Sequence, residues 1–272
     1  MKLKSKLALP LLSLAFTAGA AQGAVMGQLG VLDISGTNPA TGSQWAPGDT
    51  YRLIFVTSTT TTATSTDINT YNTFVQGVAN GAGLGGITWS AVGSTSSVDA
   101  RDNTGTNPGG GVGEAIILMD GASIVADNYA DMWDSDGIAA TLWTSSNTVG
   151  SDPTVDHARS IYLDESGNVQ SPHGSADDRI FTGTLVDGTA HVTQPLGATN
   201  VSVGAVGGNF PAQFWGIQPS GDSPRWMVEF NSPSTQQQQM YGISETLTVV
   251  PEPSTTALLG LGGLALILRR RK

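Results

Sequence analysis

The sequence predicts a single α+β domain with two helices and eight or nine strands in a mostly antiparallel sheet. Three observations predict it. Apolar residues recur at three- and four-residue steps between Ile68 and Ala82, the period of one helix face. Short β-branched and aromatic runs follow one another through the second half, separated by turn sequences such as Asp164-Glu-Ser-Gly167-Asn168 and Asp187-Gly188. No segment repeats at a fixed period, which argues against a solenoid or a propeller.

In chain order, Val25 to Asp49 is rich in Gly, Pro, Ser and Asn, with Leu29, Val31, Leu32 and Ile34 as apolar points. It reads as an edge strand and then a loop. Tyr51 to Thr57 reads as a buried strand. Ser58 to Ser65 is a threonine-rich loop. Thr66-Asp67 caps a first helix whose face is Ile68, Tyr71, Val75, Val78 and Ala82, and the glycines from Gly81 to Gly86 stop it. Those glycines spell G-x-G-x-x-G. They end a helix, whereas a dinucleotide loop must follow a strand and open a helix.

Ile87 to Val92 is a short strand, and Ser94 to Gly113 is a polar loop carrying Asp99 and Arg101, the kind of segment where binding groups sit. Ala115 to Met119 is an apolar run ending at Asp120-Gly121. Ile124 to Trp133 reads as a second, short helix with Val125, Tyr129, Met132 and Trp133 on its apolar face. On such a helix Asp127, Asp131 and Asp134 stack on the opposite face. That stack fits either a calcium site, since hard cations take several carboxylate oxygens, or a solvated acidic face. Strands then dominate: Ser160–Leu163, Arg179–Val186, Val201–Val206, Arg225–Phe230 and Met240–Val249.

The two ends are built differently from the middle. Met1 to Ala24 has a basic start at Lys2, Lys4 and Lys6, an apolar centre from Leu7 to Phe16 and a small-residue exit. That is the three-part pattern of a secretory signal peptide, with Ala18-Gly19-Ala20 and Ala21-Gln22-Gly23 both fitting its cleavage rule. At the other end stand Pro251-Glu252-Pro253, an apolar run from Ala257 to Leu268, and Arg269-Arg270-Arg271-Lys272. An apolar run stopped by cations inserts with its basic end cytoplasmic. Twelve residues with three glycines are short for a permanent span, which needs about 20. The order of these parts resembles the PEP-CTERM sorting signal of Gram-negative bacteria. The resemblance implies passage through the Sec translocon, removal of the signal by signal peptidase and a transient inner-membrane stage. An exosortase then cuts near Pro251, Glu252 and Pro253, with Arg269, Arg270 and Arg271 as its basic stop. The destination implied is the cell surface or the exopolysaccharide matrix. The expected organisation is therefore a signal peptide over 1–24, an exported domain over 25–249 and a sorting signal with a short transmembrane helix over 250–272.

The whole chain holds 12 Lys+Arg and 22 Asp+Glu. The two ends take seven of the basic residues and only Glu252 of the acids, so the domain keeps 5 arginines, 21 acids and a formal charge of −16. It contains no lysine. Such a surface repels nucleic-acid phosphates, so nucleic acid is excluded as a partner. There is no cysteine, which excludes disulfides, thiolate catalysis and zinc-thiolate sites. A domain of about 225 residues is large enough to be held by its core alone.

Motifs of catalysis are missing. There is no G-x-S-x-G elbow and no Walker loop. His157, His173 and His191 are spaced too irregularly for a local metal pair. The order of short motifs in the core is similar to secreted bacterial domains of the endostatin and C-type-lectin-like fold. Among them are Phe55-Val-Thr-Ser-Thr, Trp89-Ser-Ala, Asp99-Ala-Arg-Asp-Asn-Thr, Ala126 to Trp133, Phe181-Thr-Gly-Thr and Met240-Tyr-Gly-Ile-Ser. The chain lacks the cysteines and the Glu-Pro-Asn and Trp-Asn-Asp calcium signatures of that fold. The sequence thus leads to an exported, non-enzymatic surface or matrix protein that binds glycan through residues such as Trp133, Asp99 and Arg101. Trp143, Trp215 and Trp226 are further candidates for stacking on sugars. A secreted carbohydrate-active enzyme with an Asp/Glu pair and a passive matrix component are the alternatives.

Overall fold

The computed structural model describes residues 25–27, 29, 33–133, 161–170, 179–205, 227 and 230–251. The expected signal peptide, Asp134, Trp143, Trp215, Trp226, His157, His173 and the tail from Glu252 onward lie outside the described residues. Ala24–Glu252 forms one compact unit, and the terminal segments belong to another.

The first elements are short: β1 (Val25–Met26), β2 (Asp33–Ile34) and the β3–β4 hairpin (Thr37–Asn38, Ser43–Gln44). Then come β5 (Thr50–Val56), α1 (Ile68–Gly81), β6 (Trp89–Ala91), α2 (Ala100–Asn103) and a single 3-10 turn at Pro108–Gly110. β7 (Ala115–Leu118), β8 (Ile124–Ala126) and α3 (Tyr129–Met132) follow. The last strands are β9 (Arg179–Phe181), β10 (Asn200–Ala205), β11 (Phe230–Pro233), β12 (Tyr241–Ser244), β13 (Leu247–Thr248) and β14 (Val250–Pro251).

The expected mixture of few helices and mostly antiparallel strands is found. The main sheet runs β6-β12-β5-β7-β8, and β13 also pairs with β5. Among the described residues only the β5–β7 pair of that sheet is parallel, Tyr51 facing Ala115 and Ile54 facing Leu118. A parallel pair needs a long crossover, which here carries α1, β6 and α2. β5 is central and buried over Tyr51–Val56, and it alternates Tyr51, Leu53 and Phe55 on one face with Arg52, Ile54 and Val56 on the other. Two smaller sheets, β9-β10-β11 and β14-β1-β2, are antiparallel.

α1 forms where its periodicity places it. Asp67 caps it, its carboxylate accepting from the Asn69 amide at 3.0 Å, a contact worth about 1 kcal/mol. Ile68, Tyr71, Val75 and Ala79 are its buried residues. Phe55 meets Trp89 at a ring separation of 4.9 Å beneath it. Gly242 of β12 sits opposite Phe55. A Cβ there would lie 2.5 Å from Val75 and 2.7 Å from Phe55, so glycine lets helix and sheet approach.

The expected helix over Ile124–Trp133 does not form. Its first part is β8, which pairs with β7 through Ile116–Ala126 and Ile117–Ile124. Three apolar residues beside an apolar strand gain more from a ladder and burial than from a helix start. Asn128, in extended conformation, then caps the single turn α3, accepting from Ala130 and Asp131 amides at 2.9 and 3.1 Å. The expected loop Ser94–Gly113 is likewise structured. Ser94 Oγ accepts from the Ala100 amide at 2.7 Å, and the Asn103 amide group donates to Asn72 and to the Ala91 carbonyl at 2.9 and 2.8 Å.

Gly242→Ala is expected to destabilise the domain by about 1–3 kcal/mol through overpacking, read as a lower urea midpoint with an unchanged slope. No change in midpoint would show that α1 is not held this close.

Candidate functional site

The strand alternation that buries the even face of β5 also buries Arg52, which is 8% exposed. An ion in that position must be fully paired. Its Nε donates to Tyr129 Oη at 2.8 Å and to Glu114 at 3.3 Å. Nη1 donates to the carbonyls of Thr104 and Ser244 at 2.8 and 3.0 Å. Nη2 reaches the Gly105 carbonyl at 3.5 Å and Thr246 Oγ1 at 3.3 Å. Tyr129 in turn donates to Glu114, and Thr246 Oγ1 donates to the other Glu114 oxygen at 3.2 Å. Gly113, at φ +77, lets the chain pass flat against the Tyr129 ring, where a Cβ would clash at 2.2 Å.

Burial acts to raise the Glu114 pKa, but the Tyr129 hydroxyl, the Arg52 charge and the Arg52 and Thr246 hydrogen bonds outweigh it and hold it below the usual value. Tyr129 is pushed up by burial and by its bond to that carboxylate. Tyr71, whose hydroxyl donates to the Ser65 carbonyl at 2.7 Å, is pushed by burial to about 12. The Arg52 group is a clamp. Its donors face backbone carbonyls and side chains that already hold one another, so its chemistry is to fix loops.

Asp99, Arg101 and Trp133 do come together, around Gly188. A Cβ on Gly188 would lie 2.8 Å from the Trp133 ring and 2.9 Å from Arg101 Cβ. Asp99 accepts from the Ala190 amide at 2.8 Å, and the Arg101 amide donates to the Gly188 carbonyl at 3.3 Å. Among the described residues the Arg101 guanidinium makes a 3.9 Å ion pair with Asp99 and a 3.4 Å contact to the Asp187 carbonyl. Trp133 corrects its expected role as a sugar platform. It is 4% exposed, and its indole N–H donates to Thr106 at 2.9 and 3.0 Å. It is core.

The carboxylate stack is also corrected. Asp127 lies between β8 and α3, so it shares no helix face with Asp131. The Asp131 carboxylate instead accepts from the Asp127 amide at 2.6 Å, completing the start of α3. Asp134 lies outside the described residues. Among the described residues no three His, Asp or Glu side chains converge as metal ligands.

Asp164 and Glu165, which no sequence motif marks as a site, are both buried. Asp164 organises the predicted turn, accepting from the Ser166 and Asn168 amides at 2.8 and 2.9 Å and from Gln170 at 2.9 Å. Glu165 accepts from the Ser58 amide at 2.9 Å and from its hydroxyl. It opens onto a groove of about 540 Å³ along α1, lined by Thr59, Thr73, Phe74, Val78, Glu165 and Ser166 with small residues between. Only the turn itself was signalled, by Asp164 and Gly167. His191 caps a turn, its Nδ1 accepting from the Thr193 and Gln194 amides at 3.3 and 3.1 Å.

The domain closes on its C-terminal run. Val249 is buried and exchanges backbone bonds with Gly48 and Asp49, and Val250–Pro251 forms β14. From here to the C-terminus, residues 249–272 match the family model of the PEP-CTERM protein-sorting motif. The chain carries a PEP-CTERM sorting tail. The match leaves the rest of the domain uncovered, and a search of curated proteins returns no match to the chain.

The PEP-CTERM motif marks the chain for an exosortase and for export toward the cell surface. Its first residues belong to the folded domain, so the domain extends past the expected boundary at Val249. Pro251 of the Pro-Glu-Pro sequence is on β14, whereas Glu252, Pro253, Arg269, Arg270 and Arg271 lie outside the described residues. No helix among the described residues is long and apolar enough to cross a membrane.

A depressed carboxyl pKa adds stability above the unfolded value, near 4.5 for Glu114, and that stability is lost as pH falls through the folded value. Glu114→Gln is therefore expected to lower the urea midpoint at pH 7 and to flatten its decline below about pH 4.5. A variant with the wild-type acid limb would mean that Glu114 carries no such linkage.

Proposed function

We propose that the protein is an exported, non-enzymatic component of the cell surface or exopolysaccharide matrix, released into place by exosortase processing of its tail. The PEP-CTERM match at residues 249–272 carries this reading. The arrangement of the domain supports the non-enzymatic part. Arg52, Glu114 and Asp164 are each committed to holding loops. The leader, the Sec route and the inner-membrane stage follow from the same reading. Replacing Arg269 to Lys272 with neutral residues is expected to leave the full-length chain with the membrane fraction, seen by fractionation and blotting. Normal maturation of that variant would end the proposal.

Glycan binding, as part of this reading, draws its support from the groove along α1 and no longer from Trp133. Phe74 is half-buried there, and Thr59, Thr73, Ser166 and the Glu165 carboxylate stand beside it. A ring flanked by hydroxyls and an acceptor is the composition that packs a sugar face and bonds its hydroxyls. Phe74→Ala is expected to weaken retention on extracted exopolysaccharide by about tenfold, with the thermal midpoint little changed. Equal retention would leave the passive matrix role as the better description.

A further inference from the structure

The two ends of the folded domain are neighbours in one sheet. β1 lies between β14 and β2, and its Val25 and Met26 face Pro251 and Val250. β1 starts directly after the expected leader, and β14 ends directly before Glu252. The residues upstream of β14 are held as well. Leu247 and Thr248 pair with Tyr51 and Thr50 of the central strand. The Val249 amide donates to the Asp49 carbonyl at 2.8 Å, and its carbonyl accepts from the Gly48 amide at 2.9 Å. Leu247 and Val249 are 0% and 1% exposed.

Extended recognition of a peptide uses its backbone N–H and C=O groups and the side chains beside them. Groups already bonded in a ladder become available only when that ladder opens. A frayed terminal strand opens at little cost. Opening residues 247–249 would expose two buried apolar side chains and break pairs to β5, which is far more costly.

We propose that this terminal strand pair sets the limit of processing: the exosortase cuts on the C-terminal side of Pro251, and β1 is the element that holds that limit. The inference rests on the sorting reading above. In the cut the peptide C–N bond breaks, the acyl carbon on the domain side passes to water or an amine acceptor, and the tail fragment leaves with the new amine. The mature domain thereby keeps β14.

The test uses the full chain expressed in cells that carry an exosortase, with both termini of the surface-recovered protein read by mass spectrometry. Wild-type chains are expected to end at Pro251 or later. Ends at or before Val250 would overturn this inference and leave the sorting reading standing, whereas an uncut chain would overturn both. Met26→Pro breaks β1, because proline cannot donate to a ladder and β1 is a middle strand. It is expected to raise the share of chains ending at or before Val250 by about tenfold. Met26→Gly, which weakens the strand but keeps its N–H, should give a smaller rise even where the proline variant folds poorly. Unchanged ends in both variants would show that β1 does not set the limit. The N-terminus read from the same spectra separates any defect in leader removal.

Discussion

Arg52 spends its guanidinium on four parts of the chain at once: the 104–105 turn, Glu114, Tyr129 of α3 and the bend between β12 and β13. That placement matters because β5 and β7 are parallel and the chain between them must leave the sheet and return. The turn at 104–105 and Glu114 both belong to the returning part of that crossover, so Arg52 ties it to the strand where it began. A planar fork suits this task. A lysine has a single charged centre and cannot address carbonyls on two sides and a carboxylate on a third. Breaking a buried pair by removing one partner costs about 3–5 kcal/mol, and here it would also strand several carbonyls.

The acidity of the domain acquires a structural meaning from its turns. Asp49, Asp67, Asp99, Asp120, Asp131, Asp164 and Asp187 each accept at least one backbone N–H. Short carboxylates serve as local acceptors where most strands are two to four residues long and loops carry much of the chain. Two ion pairs, Arg52–Glu114 and Arg101–Asp99, are present among the described residues. Asp164 and Glu165 are buried and held by hydrogen bonds instead, and the net negative charge of the domain favours solubility.

The parts legible in the sequence were those with a strong local signal. α1 has a cap, a period and a glycine stop, and it appears where those place it. Tyr51 to Val56 is a run of large and β-branched residues, and it is the central strand. Ile124 to Trp133 has a helical period in sequence because three apolar residues and a helical turn share one short segment; the deciding factor, pairing with β7, is not local. The same holds for Trp133, whose fate depends on Thr106, and for Arg52, whose partners come from as far as Ser244 and Thr246. The sorting tail was legible in full because its order of Pro-Glu-Pro, apolar run and cations needs no tertiary context. The groove along α1 was invisible, since it lies between a helix face and a turn far apart in the chain.

β1 and β14 run antiparallel with the domain's first and last residues abreast. A load drawn across those two ends therefore meets their backbone pairs one after another, like teeth of a zip, and not all together in shear. A chain tethered by one end only is spared that geometry. For a protein destined for the outside of a cell, it would be mechanically safer to be fastened once than to be strung between two attachments.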